Sequence, residues 1–215
     1  MEKEDETLSR RDREKLAHRL DIMDAATRIF AQKGYSNATL EEIAQEAEFS
    51  KGTLYLYFSS KEDLLYSIIS EKSDEIFKNV PEILTGNTPL KDELRELFMR
   101  TAELSFDQQD FTRMLMAIHA MDYRPFSEEK VEEFMLNHDK FWNYVTIRVQ
   151  SAIDNGELRN VDPEAVSGLI HGSLDQMMMS RWNCESLDCL KIAIDCVIDI
   201  FFNGIAKKRE KTGEK

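Results

Sequence analysis

The sequence is poor in the residues that break helices and in those that staple small folds. Four prolines and eight glycines in 215 residues leave long stretches without a turn signal, and no alternating apolar/polar run of strand length occurs. A sheet-built fold is thereby excluded. Three cysteines, Cys184, Cys189 and Cys196, are odd in number and fit no common zinc spacing, so reduced thiols are expected rather than a disulfide framework. The most apolar run, residues 192–205, is broken by Asp195 and Asp199, which argues against a membrane span. The charged N-terminus does not read as a secretory leader, so a soluble, cytosolic protein is expected. There is no HExxH, no Gly-rich phosphate loop and no Cys/His constellation, and His138-Asp139 is an isolated pair. Neither an enzyme nor a metal or other cofactor is expected.

What is abundant is Glu, Lys, Leu, Ile and Met, the composition of an all-α protein. The most heavily punctuated stretch is TLEEIAQEAEFSKGTLYLYFSSK, residues 39–61. Thr39 followed by Glu42 is a capping box, and Leu40, Ile43, Ala44 and Ala47 make one apolar stripe on a helix of two turns. Ser50 is an N-cap for a second short helix in which Leu54 and Phe58 share a face while Lys51, Thr53 and Tyr57 point elsewhere. Ser60 with Asp63 opens a third. Two short helices across a tight turn form a helix-turn-helix, the unit that lays its second helix in the major groove of DNA. Upstream, Ile22, Ala25, Ala26, Ile29 and Phe30 give a longer helix its packing stripe, from about Arg13 to Lys33, with Gly34 as its C-cap.

Residues 22–65, IMDAATRIFAQKGYSNATLEEIAQEAEFSKGTLYLYFSSKEDLL, closely resemble the DNA-binding domain of the tetracycline-repressor (TetR) family of transcription regulators. The resemblance rests on A-x-x-x-F-x-x-x-G-Y at the end of the first helix, T-x-x-x-I-A-x-x-A in the second, and S-K-G-T-L-Y-x-Y-F-x-S-K-E-x-L through the third into the fourth. It implies about nine helices. It further implies that Thr39 contacts a phosphate, that Ser50, Lys51, Gly52 and Thr53 open the recognition helix against backbone and base edges, that Tyr55 and Tyr57 reach phosphates or bases, and that Lys61 meets a phosphate. Hydroxyls, lysines and helix N-termini are suited to that work, although Thr39 and Ser50 are caps in any case and one tyrosine is free to pack beside Leu54 instead. One departure from the pattern is Glu48, in a turn where many relatives carry Gly.

Net charge is −13, which looks adverse for a DNA partner. Residues 1–61 hold ten Lys/Arg against twelve Asp/Glu, whereas residues 62–215 hold eighteen against twenty-nine, so the acidic load lies in the body. The expected organisation is a disordered charged N-terminus over 1–12, a helix-turn-helix domain over 13–60, a helical regulatory and dimerisation domain over 61–207 and a disordered tail over 208–215. A loop, TGNTP at 85–89, is followed by helical patterns near 90–107, 110–121, 126–155, 162–182 and 186–207.

The body is rich in large, soft apolar groups that suit either a packed core or a cavity for a hydrophobic effector. Candidate effector contacts are Phe98, Ala102, Phe106, Met114, Ile118 and His119, and further on Phe134, Phe141, Trp142, His171 and Met178. The effector would be an elongated or aromatic hydrophobe, such as an acyl chain or a lipophilic toxin. The last helix is apolar over more of its circumference than one neighbour buries, and small residues precede it. A homodimer is therefore expected, through Ala165, Gly168 and Gly172 on one helix and Leu190, Ile194, Val197, Phe201 and Phe202 on the next. The sequence thus reads as a ligand-responsive regulator, a repressor that binds a pseudopalindromic DNA operator as a dimer. The alternative is a DNA-binding protein whose body recruits a protein partner.

Overall fold

The computed structural model describes residues 9–121, 124–180 and 184–204, apart from the side chains of residues 76, 77, 137, 179 and 180. The described residues are helical and contain no strand. The helices are α1 (Arg10–Lys33), α2 (Leu40–Glu46), α3 (Lys51–Tyr55), α4 (Lys61–Lys78), α5 (Val80–Ile83), α6 (Leu90–Asp107), α7 (Gln109–Ala120), α8 (Glu128–Asp154), α9 (Pro163–Ser180) and α10 (Leu187–Asn203). Helix α5 is a single turn containing Pro81; without it the described helices number the nine expected. The all-α expectation holds. Among the described residues no helix is long and apolar enough to cross a membrane.

The N-terminal expectation is partly corrected. Ser9 caps α1, its hydroxyl accepting from the Asp12 amide, so residues 10–12 are helical rather than disordered. Residues 1–8 and the expected tail at 208–215 lie outside the described residues.

The chain folds as two compact units. One comprises the residues up to Asn79 with Asp107–Phe141, and the other Val80–Phe106 with the residues from Trp142 on. This division differs from the expected boundary at 60/61, because α4 and α7 share the core of the helix-turn-helix. In that core Ile22, Ala26 and Phe30 of α1 meet Ile43 and Ala44 of α2, Leu54 of α3, Phe58 after it, Leu64, Leu65, Ile68 and Ile69 of α4, and Phe111, Met114 and Ile118 of α7. A helix as short as α2 or α3 has no stability of its own, so these contacts hold it helical.

In the second unit the buried apolar residues include Leu94, Leu97, Phe98 and Ala102 of α6, Val145, Val149 and Ala152 of α8, Ile170, Leu174 and Met177 of α9, and Leu190, Ile194 and Ile198 of α10. Leu190 and Ile194, expected at a dimer surface, are thus inside the unit. Residues 190, 194 and 198 form the inward row of α10, and the row left outside carries Ile192, Cys196 and Ile200.

The expectation of reduced thiols is also corrected: Cys184 and Cys189 form a disulfide. Ser186 starts α10 between them, with its hydroxyl on the Cys189 amide, and the turn brings the two Cα atoms to 5.5 Å, within bridging range. Cys196 is free and exposed.

One polar cluster organises the loops of the second unit. Arg148 of α8 is almost fully buried and donates from Nε to Glu93 at 2.6 Å, and from Nη2 to the Thr88 carbonyl at 3.1 Å and to Glu157 at 3.2 Å. Glu93 also accepts from the Gly86 amide at 2.7 Å, and Glu157 from the Leu90 amide at 2.7 Å. The two carboxylates therefore pin both ends of the 85–89 loop around one guanidinium.

Breaking such a cluster leaves a buried carboxylate without its counter-charge, at a cost of about 3–5 kcal/mol. Arg148→Met should lower unfolding stability by that much in urea titration, and adding Glu93→Gln should recover a large part of it. Equal stability of Arg148→Met and the unaltered protein would mean that the cluster holds nothing in place.

Candidate nucleic-acid interface

Helix α2 starts as its sequence dictates. The Thr39 hydroxyl accepts from the Glu42 amide at 3.2 Å, while the Glu42 carboxylate accepts from the Thr39 amide at 3.1 Å, which completes the capping box. Lys33 of α1 adds an ion pair at 2.6 Å; this pair first, then the Thr39 bonds, holds the Glu42 carboxyl below the usual carboxylate range.

The turn that follows is a Schellman motif. The Phe49 amide reaches back to the Ala44 carbonyl at 2.8 Å and the Glu48 amide to that of Gln45 at 3.1 Å. Such a motif demands a left-handed residue, and Glu48 takes it with φ of 59°. Among the described residues Glu48 is the one non-glycine with positive φ. The residue that departed from the family pattern thus keeps the conformation that glycine would favour. Phe49, the next residue, packs against the core and fixes the exit of the turn.

Ser50 then caps α3, its hydroxyl accepting from the Thr53 amide at 3.0 Å. Leu54 is fully buried, whereas Lys51, Gly52, Tyr55 and Leu56 are exposed, Leu56 at 79%. Lys51 forms an ion pair with Glu41 of α2 and lies 5.9 Å from the Tyr55 ring centre. Glu41 raises the Lys51 pKa by hydrogen bonding, and its own falls for the same reason. At Gly52 an added Cβ would sit 3.7 Å from the Ser50 hydroxyl, an ordinary contact, so nothing inside the chain requires glycine there.

The remaining candidate residues are more committed. Tyr57 is half-buried against the core, and its hydroxyl lies 3.3 Å from Nδ1 of His18 on α1. Lys61 donates to the Tyr35 and Ala38 carbonyls at 2.7 and 2.8 Å and stands 4.4 Å from the Tyr35 ring centre. Its ammonium thereby ties α4 to the loop before α2, and burial pulls its pKa down. Thr39, Ser50, Lys51, Gly52 and Tyr55 therefore lie exposed on α2 and α3 and at their starts, with Thr53 partly covered, while Tyr57 and Lys61 are anchored from within. Neither the pairing of Tyr57 with His18 nor that of Lys51 with Glu41 is visible in the sequence, because both contacts depend on how α1 and α2 pack against α3 and the turn after it.

The candidate effector contacts divide between the two units. Met114 and Ile118 are buried in the core around α1, Phe134 packs on that core, and His119 is exposed at the end of α7. Phe141 is buried at the edge of the same unit. In the other unit Phe98 and Ala102 are buried, Phe106 and Met178 are half-buried, and Trp142 stacks on His171 with ring centres 4.0 Å apart. His171 also faces Asp175 at 3.1 Å. Of the expected dimer residues, Ala165, Gly168 and Gly172 are exposed on α9, beside the outward Leu169, and Val197, Phe201 and Phe202 are half-buried on α10. Among the described residues no cluster of His, Cys, Asp or Glu could hold a metal.

A capped two-helix unit with its second helix turned outward defines a helix-turn-helix regulator of transcription. Residues 22–68 match the family model described as bacterial regulatory proteins, tetR family, which makes this helix-turn-helix segment a TetR-type DNA-binding domain. It is similar to the fatty acid metabolism regulator protein of Bacillus subtilis (strain 168), at 24% identity over 195 residues, 88% of this chain and 96% of that one. A second relative from the same organism, the uncharacterized HTH-type transcriptional regulator YuxN, is 33% identical over 112 residues; these span 52% of this chain and 37% of YuxN. Among solved structures, the transcriptional regulator FadR from Bacillus subtilis in complex with stearoyl-CoA superposes with a TM-score of 0.71 at 24% identity, covering 87% of this chain and 99% of that one. At that identity the likeness establishes the fold.

Two substitutions test the interface. Gly52→Ala should raise thermal stability by about 0.5–1 kcal/mol, as alanine in a helix does, yet weaken DNA binding roughly tenfold by crowding the duplex. Unchanged DNA affinity would take Gly52 off the interface. Glu48→Gly should relieve the left-handed strain and raise the melting temperature by about 2–4 °C, read by circular dichroism; a fall would show that the side chain stabilises the turn.

Proposed function

We propose that this protein is a ligand-responsive repressor that binds a pseudopalindromic DNA operator as a homodimer and leaves it when a hydrophobic effector of the acyl-CoA class enters the helical body. The observation that carries the DNA half is the outward face of α3. Gly52, Tyr55 and Leu56 spend nothing on the fold, whereas Leu54 is fully buried. A face with that freedom beside a rigid capped turn fits presentation to a groove.

The dimer reading rests on apolar surface that the single chain leaves uncovered. Leu169 on α9 and Ile192 and Ile200 on α10 are exposed, next to Gly168 and Gly172, where an added Cβ would meet nothing within 4 Å. Small residues beside bare apolar ones allow a second pair of helices to approach closely and form a four-helix seam. The effector class is supported by the resemblance to a fatty acid metabolism regulator over most of the chain and by the stearoyl-CoA bound to a protein of the same fold. Trp142 stacked on His171, with Phe98, Phe106 and Met178 in the same unit, are the side chains proposed to meet the acyl chain. Effector binding would change the separation of the two recognition helices and leave each base contact intact.

The test is DNA affinity at fixed salt with stearoyl-CoA, free coenzyme A and stearate as separate additions, using a 30-bp duplex selected from a random pool by the protein itself. Stearoyl-CoA should weaken binding at least tenfold, and coenzyme A alone should not. If stearoyl-CoA raises the melting temperature and leaves DNA affinity unchanged, ligand and DNA are uncoupled. If none of the three binds, the acyl-CoA assignment is wrong, and a protein partner for the body becomes the better reading.

A further inference from the structure

Helix α1 outruns the core it packs on. Its buried residues lie between Ile22 and Phe30, whereas residues 9–18 are all exposed, so about two and a half turns stand clear of the fold. The row that enters the core at Ile22 runs back through His18 and Lys15 to Arg11, the i, i+4, i+7, i+11 spacing of one helix face. That face carries an isoleucine where it meets the core and two cations where it has left it.

His18 fixes the direction of the row. Its ring lies 4.9 Å from that of Phe49, in the turn before α3, and its Nδ1 lies 3.3 Å from the hydroxyl oxygen of Tyr57, just after α3. The row therefore passes beside the recognition unit, with Lys15 and Arg11 about 5 and 10 Å further along the axis at 1.5 Å per residue. The acids lie elsewhere. Asp12 shares a row with Arg19, whose guanidinium pairs with Glu71 of α4 and stands 5.1 Å from the Phe58 ring centre. The Asp12 carboxylate itself accepts from the Ser9 hydroxyl at 2.7 Å, and Glu14 is paired with Arg10 at 2.9 Å. No carboxylate among the described residues pairs with Arg11 or Lys15. Arg13, two residues from each, is turned to the far side of the helix.

Arg11 and Lys15 are four residues apart, the spacing at which like charges repel and weaken a solvated helix. A polyanion laid along the row turns that repulsion into attraction. We propose that Arg11 and Lys15 of the α1 overhang form a second DNA contact, which binds the phosphate backbone beside the groove that α3 enters. This rests on the reading that α3 faces the duplex, and it extends the interface to a helix outside the helix-turn-helix. Phosphate contacts set orientation and register and carry no base information. These two cations also differ from Lys51, whose ammonium must first leave Glu41. Their binding displaces counterions alone, so it enters the salt dependence of affinity in full.

The experiment measures affinity of the full chain for the self-selected 30-bp duplex between about 50 and 200 mM salt. The proteins are the unaltered chain, Arg11→Ala, Lys15→Ala, Arg13→Ala and Gly52→Ala. With one phosphate lost from each of two heads, Arg11→Ala and Lys15→Ala should each flatten the slope of log affinity against log salt by about 2. Arg13→Ala removes the same charge from the far side and should keep the slope. Alanine is the best helix former, so matching melting curves are expected for the three α1 variants. The order of affinities for duplexes with single base-pair changes should also stay the same in Arg11→Ala and Lys15→Ala. An equal flattening in Arg13→Ala would reduce the effect to net charge and overturn the proposal. A flattening in only one of Arg11→Ala and Lys15→Ala would overturn the row, and an altered base preference would overturn the phosphate assignment. Unchanged slopes in all three, with Gly52→Ala still weaker, would keep α3 on the DNA and take the overhang off it. Unchanged binding in all four would remove the reading of α3 as well.

Discussion

The recognition helix has five residues, and everything it can do depends on the burial of Leu54 and Phe58. A helix of that length cannot sustain itself in water, so its direction is set by the pocket into which those two side chains fit. Four other helices build that pocket. The inclusion of Phe111, Met114 and Ile118 from α7 means that a segment distant in sequence contributes to the rigidity of the DNA-reading face. Anything that displaces α7 or α4 therefore acts on the same core that orients α3.

Electrostatics work against DNA binding unless the charges are well placed. The chain carries −13 overall, and two of the cations nearest the proposed interface are already paired, Lys51 with Glu41 and Lys33 with Glu42. A duplex must compete with those carboxylates, so affinity will be set by an exchange of partners as well as by the release of counterions. Lys61 offers no such exchange without cost, since its ammonium holds two backbone carbonyls together. The effect of charge here is local, and net charge says little about it.

Local signals made the head legible in the sequence. The capping box at Thr39, the caps at Ser50 and Ser60 and the glycine stop at Gly34 each involve residues within a turn of one another, and each is present as read. Glu48 was legible as an oddity, and the structure supplies the reason: the turn needs a left-handed residue whatever its side chain. Contacts between distant segments were not legible. Arg148 meets Glu93 across 55 positions, and nothing in either neighbourhood marks them as a pair. On α10 the apolar surplus is visible in the sequence, but the choice of inward row depends on helix rotation, which turns Leu190 and Ile194 into the unit and leaves Ile192 exposed. The Cys184–Cys189 bridge is illegible for a related reason, since an odd count with one cysteine left over reads as unpaired and the turn at Ser186 is what brings the two together.

The central claim is that two copies of α3 read DNA together at a fixed spacing. Hydroxyl-radical footprinting on the self-selected duplex tests it most directly, because cleavage reports backbone contact at single-nucleotide resolution. The account requires two protected patches on one face of the duplex, related by a dyad and separated by one helical turn or a multiple of it, one turn being about 34–36 Å. A single protected patch, or protection that spreads evenly along the duplex without a dyad, would contradict it.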